Sequence, residues 1–212
     1  MRRASRNLCL AGCVFLALAL APSCSVQESS MIELTGNFAA TPVGPAAVLE
    51  VTARPAGAPK TGQRIWGEAN TLNAEATFAE LLAHAAREDG GMAVILPYQV
   101  NDRLAKAKLK PTLQPPPAEL QSFVKLLGCA SYLTADVRVL GFSYIYFRST
   151  AVAEYSIACH RADNGAIVWQ ADVARKTGGM SDREVARLSL GEAFRKLKAE
   201  SAAPRPPEAK PG

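Results

Sequence analysis

The hydrophobic positions of the central chain change between a period of two, as in strands, and a period of three to four, as in helices. Residues 47–53 are rich in β-branched side chains and predict a strand. From Asn73 to Glu88 the apolar residues recur at three- and four-residue steps, which predicts a helix with one buried face. The pair Gly90 and Gly91 ends this helix, and the short apolar run behind it predicts a buried strand.

Proline and glycine mark out two further helices in the middle of the chain. A short basic helix is predicted over residues 102–109, because Pro111 cannot continue it. Pro117 suits the first turn of the next helix, and Gly128 suits its end. Between the first strand and the first helix, residues 64–68 are expected to form a short strand.

The last third of the chain carries the clearest strand pattern. Apolar residues alternate with polar ones over residues 133–139, which is typical of a strand with one buried face. A second strand is predicted over residues 151–160 and a third over residues 166–174. The Asp163-Asn164-Gly165 sequence between them predicts a tight turn, because Asn and Gly tolerate positive φ.

A final helix is indicated by a capping box, since Ser181 is followed three residues later by Glu184. The predicted order of elements is therefore β-α-β-α-α-β-β-β-α. This order predicts an α+β fold: a single domain over residues 46–199, with a mixed, mostly antiparallel β-sheet flanked by helices. Residues 24–45 are expected to form a flexible tether, and the proline-rich residues 200–212 a disordered tail.

The first residues of the chain have the composition of a bacterial export signal. Three arginines precede an apolar run over residues 8–21, which is shorter than the roughly 20 residues that span a membrane. Small residues then lead to Ser23 and Cys24, and this pair resembles the lipobox of bacterial lipoproteins. We therefore expect residues 1–23 to be removed as a lipoprotein signal peptide. Cys24 would then be the first residue of the mature chain and carry the lipid, palmitate included.

Other processing outcomes remain open for this segment. The string that ends at Cys13 also matches a lipobox, but cleavage there would leave much of the apolar run on the mature protein. Ordinary cleavage near Cys24, or an uncleaved anchor, are further alternatives. Cys24 is favoured because the apolar run then lies wholly within the removed signal.

Removal of the signal changes the charge of the chain. The whole sequence has 24 basic and 19 acidic residues, and the signal holds three of the basic residues and none of the acids. The mature balance is thus 21 basic to 19 acidic residues, or about +2. A nucleic-acid binder concentrates positive charge on one face, so nucleic acid is not an expected partner.

Two cysteines remain in the mature chain besides Cys24, namely Cys129 and Cys159. An oxidising compartment would allow these two to form a disulfide, with Cys159 almost opposite Tyr132 on paired strands. Alternatively, Cys159 is a small apolar residue on a buried strand face. The spacing of Cys and His matches no metal-site pattern, and neither a metal nor a cofactor is expected.

Two strings of the chain resemble one group of bacterial envelope lipoproteins. The first covers a helix end, a glycine and a strand over residues 127–137 (LGCASYLTADV), and the second is the hairpin over residues 163–169 (DNGAIVW). Both are similar to segments of the group that contains the curli secretion protein CsgG, the penicillin-binding-protein activator LpoB and the amino-terminal domain of TolB. The resemblance implies an accessory or assembly component that is held in the outer membrane by its lipid, faces the periplasm and contacts an envelope protein.

Catalytic chemistry has little support in the sequence. Of the two histidines, His84 lies within the first predicted helix and His160 at a strand end. A pairing of Cys129 with His160 is the one nucleophile-and-base arrangement that the predicted strands allow. No phosphate-binding loop, nucleophile elbow or zinc-peptidase helix motif is present. A non-enzymatic role is therefore expected, with a periplasmic hydrolase acting on cell-wall or peptide substrates as the alternative.

An aromatic run over residues 142–147 is the most unusual local feature of the chain. Ordinary sheet packing would explain its period of two. The alternative is an exposed contact surface for a partner, formed by Tyr144, Tyr146 and Phe147 with Arg148 at its rim. This alternative rests on the enrichment of aromatic and arginine side chains at binding hot spots.

Overall fold

The computed structural model describes residues 28–53, 71–145 and 148–202, with the backbone alone at residues 71–73, 142–145 and 148. The export signal, Cys24, the strand expected over residues 64–68 and the tail beyond residue 202 lie outside the described residues.

Within the described ranges, six strands form one sheet in the spatial order β1-β6-β5-β4-β2-β3. The strands are β1 (Ser29–Gly36), β2 (Ala46–Ala53), β3 (Val94–Ile95), β4 (Ser131–Ile145), β5 (Arg148–Arg161) and β6 (Ile167–Gly178). The helices are α1 (Thr71–Glu88), α2 (Pro97–Lys106), α3 (Pro117–Leu127) and α4 (Asp182–Ala202). Strand β2 is parallel to β3 and β4, and the other neighbours are antiparallel. The predicted α+β class and order of elements are confirmed, with β1 added at the start.

The two faces of the sheet are covered unequally. Helices α1 and α4 pack on one face, where the larger apolar core contains Phe78, Tyr155, Trp169 and Phe194. Helices α2 and α3 pack on the other face, but only at its β2 end, in a smaller core around Tyr132. Across β5, β6 and β1 this second face carries no helix within the described residues. Among the described residues, much of one sheet surface is therefore not packed against a helix.

The segment expected to be a flexible tether contains strand β1, which corrects that prediction. This strand pairs antiparallel with β6 along its whole length, beginning with Ser29 opposite Lys176. Two of its three apolar side chains, Ile32 and Leu34, are partly buried and pack against the larger core. Pairing and packing across the chain thus outweigh the weak local preference of a polar segment with only two partly buried positions.

The chain after β1 wraps over an indole of the larger core. Gly36 has a φ of 89°, and a Cβ at this position would collide with the Val168 carbonyl oxygen, so glycine is required. The ring of Phe38 lies 5.6 Å from that of Trp169. The indole N–H of Trp169 donates to the Thr41 hydroxyl at 3.0 Å. These contacts satisfy the polar end of the buried indole.

Several local signals at helix ends act as the sequence predicted. The backbone N–H of Glu184 donates to the Ser181 hydroxyl at 3.2 Å, and the Ser181 N–H donates to the Glu184 carboxylate at 2.9 Å. These Ser181 hydrogen bonds hold the pKa of the Glu184 carboxyl below its usual value. Gly128 ends α3 with a φ of 65°, the left-handed conformation expected there.

Helix α2 begins earlier than predicted. It starts at Pro97, whereas the sequence pattern indicated residues 102–109. Proline suits the first turn of a helix, and the Gln99 side chain accepts a hydrogen bond from the Leu96 N–H at 3.1 Å. The start of α2 at Pro97 therefore agrees with this capping and with the buried residues Pro97, Val100 and Leu104, which recur at helical spacing.

Candidate interaction surfaces

The face of the sheet that carries no helix across β5, β6 and β1 in the described part of the chain has a row of polar side chains, and we call it the open face. Asp136 on β4 is opposite Ser156 on β5, which is opposite Asp172 on β6. The Asp172 carboxylate accepts hydrogen bonds from the Ser156 hydroxyl and from the Gln170 amide, the latter at 2.9 Å. The Arg138 guanidinium lies 3.4 Å from the same carboxylate. The centre of the open face is thus a connected polar network.

Further acidic side chains surround this network. Its neighbours on the open face include Glu33 on β1, opposite Asp172, and Glu154 on β5, opposite Ala174. The carboxylates of Glu33 and Glu154 form no hydrogen bond or ion pair within the part of the chain that the structure describes. Met31, which is 52% exposed, is also opposite Ala174. The edge of the open face therefore combines unpaired acids with an exposed apolar side chain.

A groove of about 430 Å³ lies on the opposite side of the domain, between α1 and α4. Its apolar lining includes Leu81 and Leu188. One end holds an ion pair between Asp89 and Arg195, and another pair places His84 3.5 Å from Glu88. We call it the helix groove.

Two arginines of the helix groove form no ion pair with any residue that the structure describes. Arg183 and Arg187 are both exposed and are four residues apart on α4, so they share one helix face. Their guanidinium groups make no hydrogen bond or ion pair within the described ranges. Sequence reasoning missed both residues, although their four-residue spacing was visible. Such spacing is common on solvated helices, and only the structure shows which acids are already paired.

The structure gives His160 a different role from a catalytic base. Its ring stacks on Tyr132, with ring centroids 4.8 Å apart and planes 3° apart. Its Nδ1 lies 3.0 Å from the Gly165 carbonyl oxygen, which can only accept, so a neutral His160 carries its proton on Nδ1. Nε2 then accepts from the Thr134 hydroxyl at 3.1 Å. Both ring nitrogens are thus engaged: Nδ1 holds the β5–β6 turn and Nε2 binds a side chain of β4.

The Cys129 thiol is likewise engaged elsewhere. It donates to the Val124 carbonyl at 3.6 Å, and burial raises the pKa of the thiol. A nucleophilic cysteine needs a lowered pKa and a neighbouring base. The arrangement of Cys129 with His160 that the sequence left open is therefore not supported by the contacts of either residue.

The predicted disulfide is not formed in the structure, where Cys129 and Cys159 are both free thiols. Cys129 belongs to the smaller core and Cys159 to the larger one, on opposite faces of the sheet. Cys159 is opposite Leu133, one position from the expected Tyr132. The strand register is thus close to the expected one, and the two thiols are kept apart because they lie on opposite faces of the sheet.

The remaining predicted site residues are only partly described. Tyr144 is opposite Ser149 and Ile145 is opposite Arg148, at the far end of the long β4–β5 hairpin. Tyr146 and Phe147 lie outside the described residues, as does Cys24. The aromatic contact surface and the lipid attachment therefore stay predictions.

Within the described residues, no helix is long and apolar enough to cross a membrane. No group of three or more His, Cys, Asp or Glu side chains in the described part of the chain is placed to hold a metal ion.

Comparisons with known proteins add information on the fold. No family model and no curated protein matches the chain. PelC from Paraburkholderia phytofirmans, solved as a dodecamer, is 16% identical and gives a TM-score of 0.55 over 81% of this chain and 99% of PelC. The chain therefore shares the fold of PelC.

Two weaker matches are also bacterial proteins. Lipoprotein GNA1162 from Neisseria meningitidis is 13% identical, with a TM-score of 0.47 over 73% of this chain and 97% of its own. The LpoB carboxy-terminal domain from Escherichia coli is 15% identical, with a TM-score of 0.41 over 63% and 83% of the two chains. At these TM-scores neither match carries a conclusion beyond the fold seen with PelC.

Proposed function

We propose that this chain is a non-enzymatic lipoprotein of the bacterial envelope that acts as an accessory or assembly factor through protein contacts. The lipid is attached at Cys24, and the protein is held in the outer membrane and faces the periplasm. The observation that carries this proposal is the export-signal pattern over residues 1–23, which is followed by Cys24 shortly before the folded domain.

The anchor and the domain are close together in the chain. Cys24 precedes Ser29, the first residue of β1, by five positions. A fully extended chain spans at most about 3.6 Å per residue, which limits this separation to about 18 Å. The anchored domain therefore stays near the lipid surface, where it meets other envelope proteins.

The fold likeness supports one kind of contact in particular. PelC was solved as a dodecamer, so this fold is compatible with assembly from many copies. We propose that contacts between copies of this chain are part of its accessory role. The hydrolase alternative finds no support at His160 or Cys129, since the polar atoms of both side chains bind partners within the domain.

Mass spectrometry of the mature protein tests the anchor. The expected result is an amino terminus at Cys24 that carries diacylglycerol and palmitate. Cys24→Ala should abolish the lipid mass and release the protein from membranes, while the matched variant Cys13→Ala should be processed normally. An unmodified terminus, or cleavage at another site, would contradict the proposal. Density-gradient separation of the two membranes then tests the outer-membrane location.

A further inference from the structure

The open face and the helix groove lie on opposite sides of one domain and are complementary. On the open face, Glu154, Ala174 and Met31 are neighbours in one row across β5, β6 and β1, with Glu33 two residues from Met31. This part of the open face therefore has an acid at each end and apolar side chains between them.

The helix groove has the reverse pattern. Among the described residues, Arg183 and Arg187 form no hydrogen bond or ion pair and place two positive charges beside the apolar side chains of Leu81 and Leu188. The charge of Arg187 also helps to lower the pKa of the Glu184 carboxyl, one helix turn away on α4. The other charged residues of the groove, His84 with Glu88 and Asp89 with Arg195, face each other in pairs. Among the described residues, the unpaired charge is thus positive in the groove. At the edge of the open face the two acids Glu33 and Glu154 outnumber the one exposed base that the structure describes there, Lys176, which is opposite Val152 and Ser29.

We propose that a second copy of this chain binds here, with the edge of its open face seated on the helix groove of the first. In this contact, Arg183 and Arg187 of one copy pair with Glu33 and Glu154 of the next, and Met31 meets Leu81 and Leu188. The inference rests on the proposed function, because it specifies the contact between copies.

The dimensions of the two surfaces are compatible. Glu33 and Glu154 are separated by two strand spacings and by two residues along the strand, which places their Cα atoms about 12 Å apart. The Cα atoms of Arg183 and Arg187 are about 6 Å apart on α4, and arginine side chains are long enough to diverge across the difference.

The position of the two surfaces determines the kind of assembly. A contact between two different surfaces is head-to-tail, so each copy keeps one unused surface after its first contact. Addition then continues until a ring closes or a filament forms. The assembly is therefore expected to exceed a dimer and to weaken with salt, since exposed charges are screened.

Charge reversal tests the contact in the mature lipoprotein, purified in a non-ionic detergent. Sedimentation velocity should show assemblies larger than a dimer that shrink as salt is raised. Arg183→Glu with Arg187→Glu, and separately Glu33→Arg with Glu154→Arg, should each weaken association about a hundredfold or more. The control, Lys110→Glu with Lys125→Glu, makes the same charge change as the first pair outside both surfaces and should associate like wild type. Circular dichroism establishes that each variant is folded.

Mixing the two reversed variants gives the decisive result. Each native surface then meets its native counterpart on the other variant, and the two reversed surfaces are also complementary. The mixture should therefore reassemble, as should a single chain carrying all four substitutions. This contact would be overturned if both charge-reversed variants assembled like wild type, or if the folded variants did not associate when mixed. Either result would leave the proposed function standing.

Two further outcomes also count against the inference. A lipidated wild-type protein that stays monomeric at low salt would refute self-association while leaving the Cys24 anchor intact. If Arg183→Glu with Arg187→Glu self-associates like wild type and loses only the binding of a different, acidic protein, the occupant of the groove is not a second copy. If Glu33→Arg with Glu154→Arg fails to fold, the milder Glu33→Gln with Glu154→Gln replaces it and should weaken association less.

Discussion

The buried pair of Tyr155 and Ser189 predicts an asymmetric response to mutation. Both side chains are fully buried, and their hydroxyl oxygens are 2.7 Å apart between β5 and α4. The Ser189 hydroxyl also donates within its helix, 2.8 Å from the Val185 carbonyl oxygen. Ser189 thus has a second partner, whereas the Tyr155 hydroxyl depends on Ser189.

This difference in partners sets the magnitudes. Tyr155→Phe keeps the ring in its edge contact with Phe78, 4.9 Å between centroids, and leaves Ser189 bonded to its helix. The expected loss in free energy of unfolding is about 1 kcal/mol, the usual net value of one hydrogen bond. Ser189→Ala leaves the Tyr155 hydroxyl buried without a partner, which costs about 1–3 kcal/mol. The double variant removes both groups and should be no less stable than Ser189→Ala alone.

Urea unfolding followed by circular dichroism measures these differences. A double-mutant cycle should give a coupling of about 1 kcal/mol between the two positions. Ser201→Ala is the matched control, because the Ser201 hydroxyl makes only a helix bond, 2.9 Å from the Leu197 carbonyl oxygen. Additive effects, or a Tyr155→Phe loss equal to that of Ser189→Ala, would refute this account of the pair.

Three further predictions concern the thiols and the aromatic segment. Burial raises the pKa of Cys159 from 9.0 to about 11, so the unfolded chain loses this proton first and stability should fall as pH rises from 9 to 11. Cys159→Ala should flatten that part of the pH curve, and an unchanged slope would contradict the assignment. Thiol counting without reductant should find Cys129 and Cys159 reactive only after denaturation, and their absence from the count would show that they are bonded. Replacing Tyr144 and Tyr146 by Ser should preserve the thermal midpoint and reduce partner recovery; unfolding would show instead that they pack in the core.

Signals that act within a few residues were readable from the sequence. The capping box at Ser181, the glycine after α3 and the turn at Gly165 each satisfy backbone groups beside them, whatever the rest of the fold. The alternation over β4 likewise predicted its buried face up to Val137. Beyond this point a bulge between Val137 and Val139 shifts the register, and the sequence pattern does not show it.

Features that depend on distant partners were not readable. Strand β1 exists because β6 offers it a free edge, and its own composition indicates a loop. The same holds for the candidate surfaces. The sequence shows how many acids and bases exist, but Arg187 is notable only because Asp89 is already paired with Arg195. The role of His160 became clear in the same way, from the Gly165 carbonyl that its turn presents.

The position of β1 has a mechanical consequence. We consider a lipid at Cys24 that pulls on the first residue of this strand along the axis that β1 shares with β6. The hydrogen bonds between antiparallel strands run perpendicular to the strands. A pull along the strand axis therefore loads these hydrogen bonds in shear, and they share the force. All eight residues of β1 are paired with β6, from Ser29 to Gly36. Strand β1 would therefore resist separation from β6 more strongly when pulled along its axis than when peeled from the side.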